Sequence, residues 1–182
     1  LYYTDIRLRI TIYLQVRLEI IMFMFNLEEA TNYIKSWIDD FVSQPNPDLN
    51  NFPPCPYAKQ AILDNKVAYD VADLDIDLFL IKKAEMWDDN IDVCCIFVPE
   101  VSSEELSRLV DSINKRYLMG NDFVALEDHP DDEENINGVI MNNGKYPIVL
   151  MQRLSKIQMF SGFLKKKGYY DVWSKENLDD VV

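Results

Sequence analysis

The chain has 182 residues, of which 48% are hydrophobic and 27% are charged; this is the composition of a folded domain with a core, not of a disordered chain. Its 31 acidic residues outnumber its 18 Lys and Arg residues, for a formal net charge of −13. That charge repels phosphate backbones and anionic bilayers, so we expect no direct binding to nucleic acid or membrane, and a basic protein or a small-molecule ligand is the favoured partner.

The first predicted element is a strand over residues 5–20, where apolar and polar residues alternate. Charged residues interrupt this segment, so it does not predict a membrane span. Position 1 is Leu, and Met22 and Met24 stand just before the first predicted helix. Two interpretations stay open for residues 1–25, namely an edge strand or an extension ahead of the true start. Residues 26–182 are predicted to form one globular domain.

Helical spacing of apolar residues predicts a helix from Asn26 to Val42, capped by Asn26. A segment rich in Pro and Asn follows and ends at Cys55, where Pro56 is placed to begin a second helix. The later predicted elements are a strand at 66–71, a helix at 74–89, a strand at 91–99, a helix at 102–118 with a capping box at Ser102 and Glu105, a strand at 122–126, an acidic loop at 127–144, a strand at 146–152, a helix at 153–167 and a tail packed through Tyr169, Tyr170 and Trp173.

This order of elements predicts an α/β domain whose helices pack on a mixed, mainly parallel sheet of about four strands. An α+β arrangement is the alternative. The segment at 91–99 is apolar almost throughout, so we expect it to be a central strand that is covered on both faces.

The chain has three cysteines and one histidine. Cys94 and Cys95 are adjacent on the predicted central strand, so their side chains point to opposite faces of the sheet and are expected to serve core packing. The sequence has no C-x-x-C spacing, and three cysteines make a poor disulfide framework. We therefore predict a reducing, cytoplasmic compartment and neither a metal nor a cofactor.

Cys55 lies between prolines at a predicted helix start. A thiol beside the free N–H groups of a helix N-terminus ionises more readily, and the thiolate is the reactive form. Cys55 is therefore a candidate nucleophile. The other interpretation is that Cys55 is a small buried residue in a rigid loop, since most free cysteines are buried and inert.

His129 follows the predicted strand at 122–126. Ligands of open α/β sheets gather at the carboxyl ends of strands, so His129 is a candidate general base. The alternative is a solvated histidine in a loop. A catalytic pair with Cys55 needs the two side chains within hydrogen-bonding reach of each other.

Carboxylates crowd the loop around His129. They lack the spacing of an EF-hand, and a charge run of this kind is usually a solvated face. Arg153 follows an apolar strand and is a candidate for binding an anionic ligand, or for pairing with this acidic loop. The run consists of Glu127, Asp128, Asp131, Asp132, Glu133 and Glu134.

Several short segments together resemble a family of small bacterial proteins that is classed as a domain of unknown function. That family has C-P-F-A followed by Lys or Arg near its N-terminus, then F-H-P, then N-R-S-P-Y-P before its last strand. The matching segments here are C-P-Y-A-K from Cys55 to Lys59, His129 with Pro130, and Asn143 with Tyr146 and Pro147. Asp128 replaces the family's Phe, and Gly144 stands where the family has Arg. The resemblance implies that Cys55, His129 and Tyr146 share one pocket.

Two functions follow from these candidates. In the first, Cys55 is the nucleophile and His129 the base of acyl- or thiol-transfer chemistry, while Lys59, Asn143 and Tyr146 orient the ligand. In the second, the protein is a non-catalytic adaptor whose acidic loop at 127–134 binds a basic protein. The distance between Cys55 and His129 discriminates between the two.

Overall fold

The computed structural model describes residues 25–72, 75–99, 101–132 and 134–179. The predicted strand at residues 5–20, and the alternative of an N-terminal extension, lie outside the described residues. The helices are α1 (Leu27–Trp37), α2 (Ala58–Leu63), α3 (Ile76–Glu85), α4 (Ser103–Ile113), α5 (Leu154–Lys166) and α6 (Lys175–Asp179). The strands are β1 (Val67–Val71), β2 (Val93–Phe97), β3 (Phe123–Asp128), β4 (Asn135–Ile136), β5 (Val139–Ile140) and β6 (Ile148–Arg153).

The prediction of a four-stranded mixed sheet is confirmed. The strand order is β1–β2–β6–β3, with β1 parallel to β2 and with β6 antiparallel to both β2 and β3. Three of the four strands therefore run in one direction. Because β6 lies between β2 and β3, two of the three pairings are nevertheless antiparallel, a detail that strand direction alone does not reveal.

Helices cover both faces of β2, as its apolar run predicts. Cys94 belongs to a core with residues of α3 and α4, and Cys95 belongs to a second core with Ala30 and Ile34 of α1. The period-two alternation of a strand produces this division. The predicted packing role of the two adjacent cysteines is confirmed, since both thiols are buried.

Local sequence signals fix the ends of two helices. Asn26 accepts a hydrogen bond from the backbone N–H of Glu29 at 3.1 Å and so caps α1. Ser102 likewise accepts from the N–H of Glu105 at 3.3 Å and caps α4. Each helix continues as a π-helical turn, over Ile38–Val42 and Asn114–Leu118 respectively. The predicted helices therefore end near the predicted residues but not in α-helical geometry.

The predicted acidic loop contains a small hairpin that the sequence analysis missed. Strands β4 and β5 pair through a turn at Asn137 and Gly138, both of which have positive φ. Ile136 and Val139 are buried in a third, smaller core. The other members of that core are Leu49, Phe41, Met141 and Trp173.

The C-terminal tail packs through its aromatic rings, as predicted. Tyr169 is buried and makes ring contacts with Phe52, Tyr170 and Trp173. Its hydroxyl donates a hydrogen bond to the carbonyl of Pro54, which ties the tail to the proline-rich segment. Among the described residues, no helix combines the length and the apolar composition that crossing a membrane needs.

Candidate functional site

Three of the candidate residues, His129, Asn143 and Tyr146, lie at the edge of the sheet where β2 and β3 end and β6 begins. Ile148, the first residue of β6, is paired with Phe97 on one side and with Asp128 on the other. The segments that follow β2 and β3, and the segment that precedes β6, therefore lie together at this edge. In chain order the described residues of these segments are 98, 99 and 101, then 129–132, then 143–147.

His129 is a buried residue that holds its own loop in place. The side chain is 5% exposed. Its Nε2 donates a hydrogen bond to the carbonyl of Val101 at 3.0 Å, and its Nδ1 accepts one from the N–H of Asp131 at 3.1 Å. This pair of partners requires the neutral imidazole with its proton on Nε2. The prediction of a solvated loop histidine is therefore wrong, because the ring bridges two backbone segments.

Asn143 organises the turn before β6. It is 3% exposed, and its Oδ1 accepts hydrogen bonds from the N–H groups of Lys145 at 3.0 Å and Tyr146 at 2.8 Å. Its Nδ2 donates to the carbonyl of Tyr146 at 2.7 Å and to the carboxylate of Asp128 at 3.1 Å. Both polar atoms of this amide make hydrogen bonds within the chain, so Asn143 stabilises the turn and joins it to β3.

Asp128 is the partly buried acid of this edge. Besides the Asn143 side chain, the backbone N–H of Asn143 donates to its carboxylate at 3.2 Å. Burial raises the pKa of Asp128 to about 6, and it outweighs the lowering effect of the hydrogen bonds from Asn143. Asp128 belongs to the run of charges that is predicted to be solvated, but in the fold its carboxylate is partly buried.

Lys145 is surrounded by two aromatic rings and a carboxylate. Its Nζ lies 5.0 Å from the ring centre of Tyr33 and 4.9 Å from that of Tyr146. The same atom is 3.2 Å from Oε1 of Glu29. A hydrogen bond to Tyr146 raises the pKa of the Lys145 ammonium most, and a hydrogen bond to Glu29 raises it further. An alkylammonium group is thus held at this edge by groups from α1 and from the turn before β6.

The acidic groups at the end of β3 form a surface that we call the acidic edge, consisting of Asp111, Glu127, Asp131 and Asp132. Burial raises the pKa of Glu127; its own N–H and the Ser107 hydroxyl lower it, and Asp111 and Asp132 raise it further. The Asp131 side chain is 85% exposed. The amide of Asn142 donates to the carbonyls of Asp132 and Pro130, so the loop is fixed on this side as well.

Cys55 lies in a different environment from the one predicted. Helix α2 begins at Ala58, with Tyr57 rather than Cys55 at the cap position. The N–H groups of Tyr57 and Ala58 do lower the pKa of the thiol, but burial dominates and raises it. The expected lowering of the Cys55 pKa is therefore wrong, because the partial burial of this residue outweighs the two N–H groups.

Of the six candidate residues, Asn143 and Tyr146 lie together, on the segment that is bonded to Asp128. Lys59 instead forms an exposed ion pair with Asp39 at 2.6 Å. The hydrogen-bonding groups around the thiol of Cys55 are those of Tyr57 and Ala58, while both ring nitrogens of His129 bond to Val101 and Asp131.

Arg153 is at the opposite end of β6. Its guanidinium lies 2.7 Å from Asp89 and 4.3 Å from the ring centre of Phe123. Since a strand rises ~3.3 Å per residue, its Cα is roughly 17 Å along the strand from Ile148. The predicted pairing of Arg153 with the acidic loop is wrong, because β6 runs antiparallel to β3 and carries Arg153 away from that loop.

Three important residues of this edge were missed, namely Glu29, Tyr33 and Lys145. Glu29 and Tyr33 are four residues apart on α1, a spacing that places them on one face of a helix. Lys145 is adjacent to Tyr146 in the sequence. These spacings predict that Glu29 lies near Tyr33 and that Lys145 lies near Tyr146. They do not predict that α1 packs beside the turn before β6.

Two further observations bear on the class of site. Among the described residues, no three His, Cys, Asp or Glu side chains are grouped so that they would hold a metal ion. An open depression of about 670 Å³ lies between α1 and β1, away from the acidic edge. Its lining residues are Leu27, Glu28, Thr31, Asn32, Lys35 and Tyr69.

Comparison of the chain with known proteins identifies no similar protein. No protein-family model matches the chain, and neither the curated proteins nor the solved structures include a significant match. The resemblance to the family of bacterial proteins therefore stays a prediction that rests on the short segments quoted above.

Proposed function

We propose that this chain is a non-catalytic binding module that engages a basic protein partner through the acidic edge. The observation that carries the proposal is that Asp111 and Asp132 lie close enough to Glu127 to act on its ionisation. Burial, together with the nearby carboxylates of Asp111 and Asp132, raises its pKa. Carboxylates that disfavour one another's ionisation are stabilised when a cation comes between them. A Lys or Arg side chain of a partner supplies such a cation.

The loop that presents these carboxylates is already ordered. His129 ties it to Val101, and Asn142 ties it to Pro130 and Asp132. The N–H of Asp132 also donates to the carbonyl of His129 at 3.0 Å. Ordering a loop on binding lowers affinity, so a loop that is held in advance favours binding. The only histidine of the sequence thus has a role in this proposal that requires no proton transfer.

Three features favour binding over thiol chemistry. Both ring nitrogens of His129 are engaged by backbone groups, so neither is available to accept a proton from a thiol. Burial raises the pKa of Cys55, which lowers the fraction of reactive thiolate. The net charge of −13 favours encounter with basic partners. Three free thiols fit a cytoplasmic setting, which is part of the proposal.

The test is the affinity for a basic peptide. A decamer of lysine is titrated into the wild-type protein and into a variant with Asp131→Asn and Asp132→Asn, and the heat of binding is measured. Loss of two exposed charge pairs at ~0.7 kcal/mol each corresponds to about tenfold weaker binding. Both substitutions keep the backbone N–H groups that bond to His129, so the loop should keep its conformation.

A matched control separates the acidic edge from net charge. The variant with Asp40→Asn and Asp64→Asn also removes two exposed carboxylates. Asp40 follows the C-terminal end of α1, roughly 16 Å along the helix from Glu29 at 1.5 Å per residue. We expect this control to bind within about twofold of wild type. Equal weakening in both variants, or no binding to wild type, would contradict the proposal.

A further inference from the structure

We infer that Glu29, Tyr33 and Tyr146 form a site for an alkylammonium group, and that Lys145 occupies this site from within the chain. The inference rests on the proposed function in one respect, since a lysine of the basic partner is the group that would replace Lys145. We call these three residues the ammonium site. It adds a specific contact for one ammonium group to the diffuse attraction of the acidic edge.

The chemistry of the three groups suits an ammonium ion. The face of an aromatic ring attracts a cation that lies within about 6 Å of its centre, and Lys145 Nζ lies 5.0 Å from Tyr33 and 4.9 Å from Tyr146. The carboxylate of Glu29, 3.2 Å from Nζ, balances the charge. The protein thus shows, with its own lysine, that these groups accommodate an alkylammonium.

The rings are fixed independently of Lys145. The Tyr33 hydroxyl donates to the carbonyl of Asn143 at 2.7 Å. The rings of Tyr33 and Tyr146 meet edge to face, with centroids 5.5 Å apart and an interplanar angle of 78°. Tyr146 also packs edge to face on the buried ring of Phe97 at 5.6 Å. The site should therefore keep its shape when the Lys145 side chain leaves it.

Lys145 is suited to leave. Its side chain is 44% exposed, and the contacts of its ammonium are those of a surface group, which are individually weak. Its backbone N–H remains bonded to Asn143 Oδ1 whichever way the side chain points. A tethered group competes with an outside ligand through its high effective concentration. Removal of the Lys145 side chain should then expose the site.

The ammonium site and the acidic edge lie on different faces of the sheet, with α1 and with α4 respectively. Asn143 joins the two regions, because it accepts at its carbonyl from Tyr33 and donates from its side chain to Asp128 at the end of β3. A peptide with several lysines that wraps this end of the sheet is the partner that would use both. Engagement of both raises affinity beyond that of either alone.

The experiment uses n-butylammonium chloride, which has the side-chain chemistry of lysine and a single charge. It is titrated into the full chain while the ring resonances of Tyr33 and Tyr146 are followed by NMR. We expect the Lys145→Ala variant to bind at least about fivefold more tightly than wild type, because no tethered lysine competes. Lys145→Gln keeps a long side chain without the charge, and it should also bind n-butylammonium more tightly than wild type.

The matched control is Lys35→Ala. Lys35 Nζ lies 5.4 Å from the ring centre of Tyr69, so this variant removes the same charge and a comparable ring contact elsewhere. It should bind as wild type does, and Glu29→Gln combined with Lys145→Ala should lose the gain. If Lys145→Ala and Lys145→Gln bind no more tightly than Lys35→Ala, the inference is overturned.

The probe also separates this inference from the proposed function. A single small cation does not need the acidic edge, so Asp131→Asn with Asp132→Asn should leave n-butylammonium binding unchanged. Failure of the lysine decamer to bind would contradict the proposed function, and a measured gain for n-butylammonium would still establish the ammonium site. Loss of n-butylammonium binding in the Asp131 and Asp132 variant would show that the probe reports bulk charge, which overturns the inference.

Discussion

Individual polar side chains at the sheet edge are buried because the chain itself satisfies them. His129 bonds through both ring nitrogens, and Asn143 through both ends of its amide. A buried polar group costs little once its partners are present, but it costs about 1–3 kcal/mol when one partner is lost. The burial of these two residues is therefore accounted for by loop structure, without a catalytic role.

Asp128 gives a pH dependence with a definite sign. Its folded pKa of about 6 is higher than the ordinary 3.8, so the folded state keeps a proton that the unfolded state has released. Stability should therefore fall as pH rises through the window between ~4 and ~6, by up to about 3 kcal/mol. Asp128→Asn removes this dependence.

The measurement is urea unfolding of wild type and Asp128→Asn from pH 4 to pH 7. The stability of the variant relative to wild type should increase across this range and level off above pH 6. A constant difference between the two proteins at all pH values would show that the carboxylate ionises as it does in water.

The thiols should react in a fixed order. Cys94 and Cys95 are buried in β2, and burial raises the pKa of both, to about 11 for Cys94. Cys55 is partly exposed and should be alkylated first, but slowly, because its own pKa is raised. Alkylation rates against pH, with the labelled cysteine mapped by mass spectrometry, give its apparent pKa.

We expect an inflection for Cys55 above the ~8.5 of a free thiol, and no change in it when His129→Ala is introduced. An inflection below that value that disappears in His129→Ala would contradict this account. It would instead support the Cys55–His129 pair that the sequence suggests.

The positions of helices and strands are predicted from the sequence with more success than the environment of the residues at their ends. The capped, amphipathic helix α4 and the apolar strand β2 follow directly from spacing and composition. Pro56 predicts a helix that begins at or next to Cys55, whereas α2 begins at Ala58. The burial that raises the pKa of Cys55 is a property of the folded chain, which no local pattern encodes.

The candidate site is harder to predict than the helices and strands, because it depends on contacts between segments that are distant in the sequence. The fold brings the predicted residues Asn143 and Tyr146 together. The chemistry of Lys59 and Arg153 groups them with these residues, but strand order places Arg153 at the opposite end of β6. The contacts of Lys145 cannot be predicted from local sequence, because Glu29 and Tyr33 lie on α1, more than a hundred residues earlier.

Helix α4 should depend on its buried stripe. Leu106 is fully buried between α4 and the sheet, while Leu109 is partly exposed. Leu106→Ala should cost 2–5 kcal/mol, as is usual for a leucine truncated in a core, and Leu109→Ala distinctly less. Chemical unfolding of the two variants measures the difference. Equal losses would mean that α4 packs on the sheet through another face.

Charge is distributed unevenly over the molecule as a whole. Many basic side chains are paired with carboxylates of the chain itself, including Asp111 of the acidic edge. The other members of the acidic edge, Glu127, Asp131 and Asp132, follow one another closely at the end of β3. The ion pairs are Lys59–Asp39, Lys83–Asp70, Lys115–Asp111, Arg116–Asp77, Lys145–Glu29, Arg153–Asp89 and Lys156–Asp92. The resulting field should draw basic molecules to this edge.

Binding of the lysine decamer should therefore depend strongly on salt. Exposed charges are screened over ~10 Å at 0.1 M salt and over ~3 Å at 1 M. We expect the affinity measured by titration calorimetry to fall by at least about tenfold between 0.05 M and 0.5 M sodium chloride. An affinity that does not change with salt would point to an apolar contact instead of the acidic edge.

The most direct test of the central claim is to locate the bound peptide on the protein. The lysine decamer is titrated into isotope-labelled protein, and the shifts of the backbone amide resonances are mapped. The account predicts that the largest shifts occur at Asp111, Glu127, Asp131 and Asp132, with smaller ones at Lys145 and none at Arg153 or Cys55. Shifts centred on Cys55, or spread evenly over the acidic surface, would contradict it.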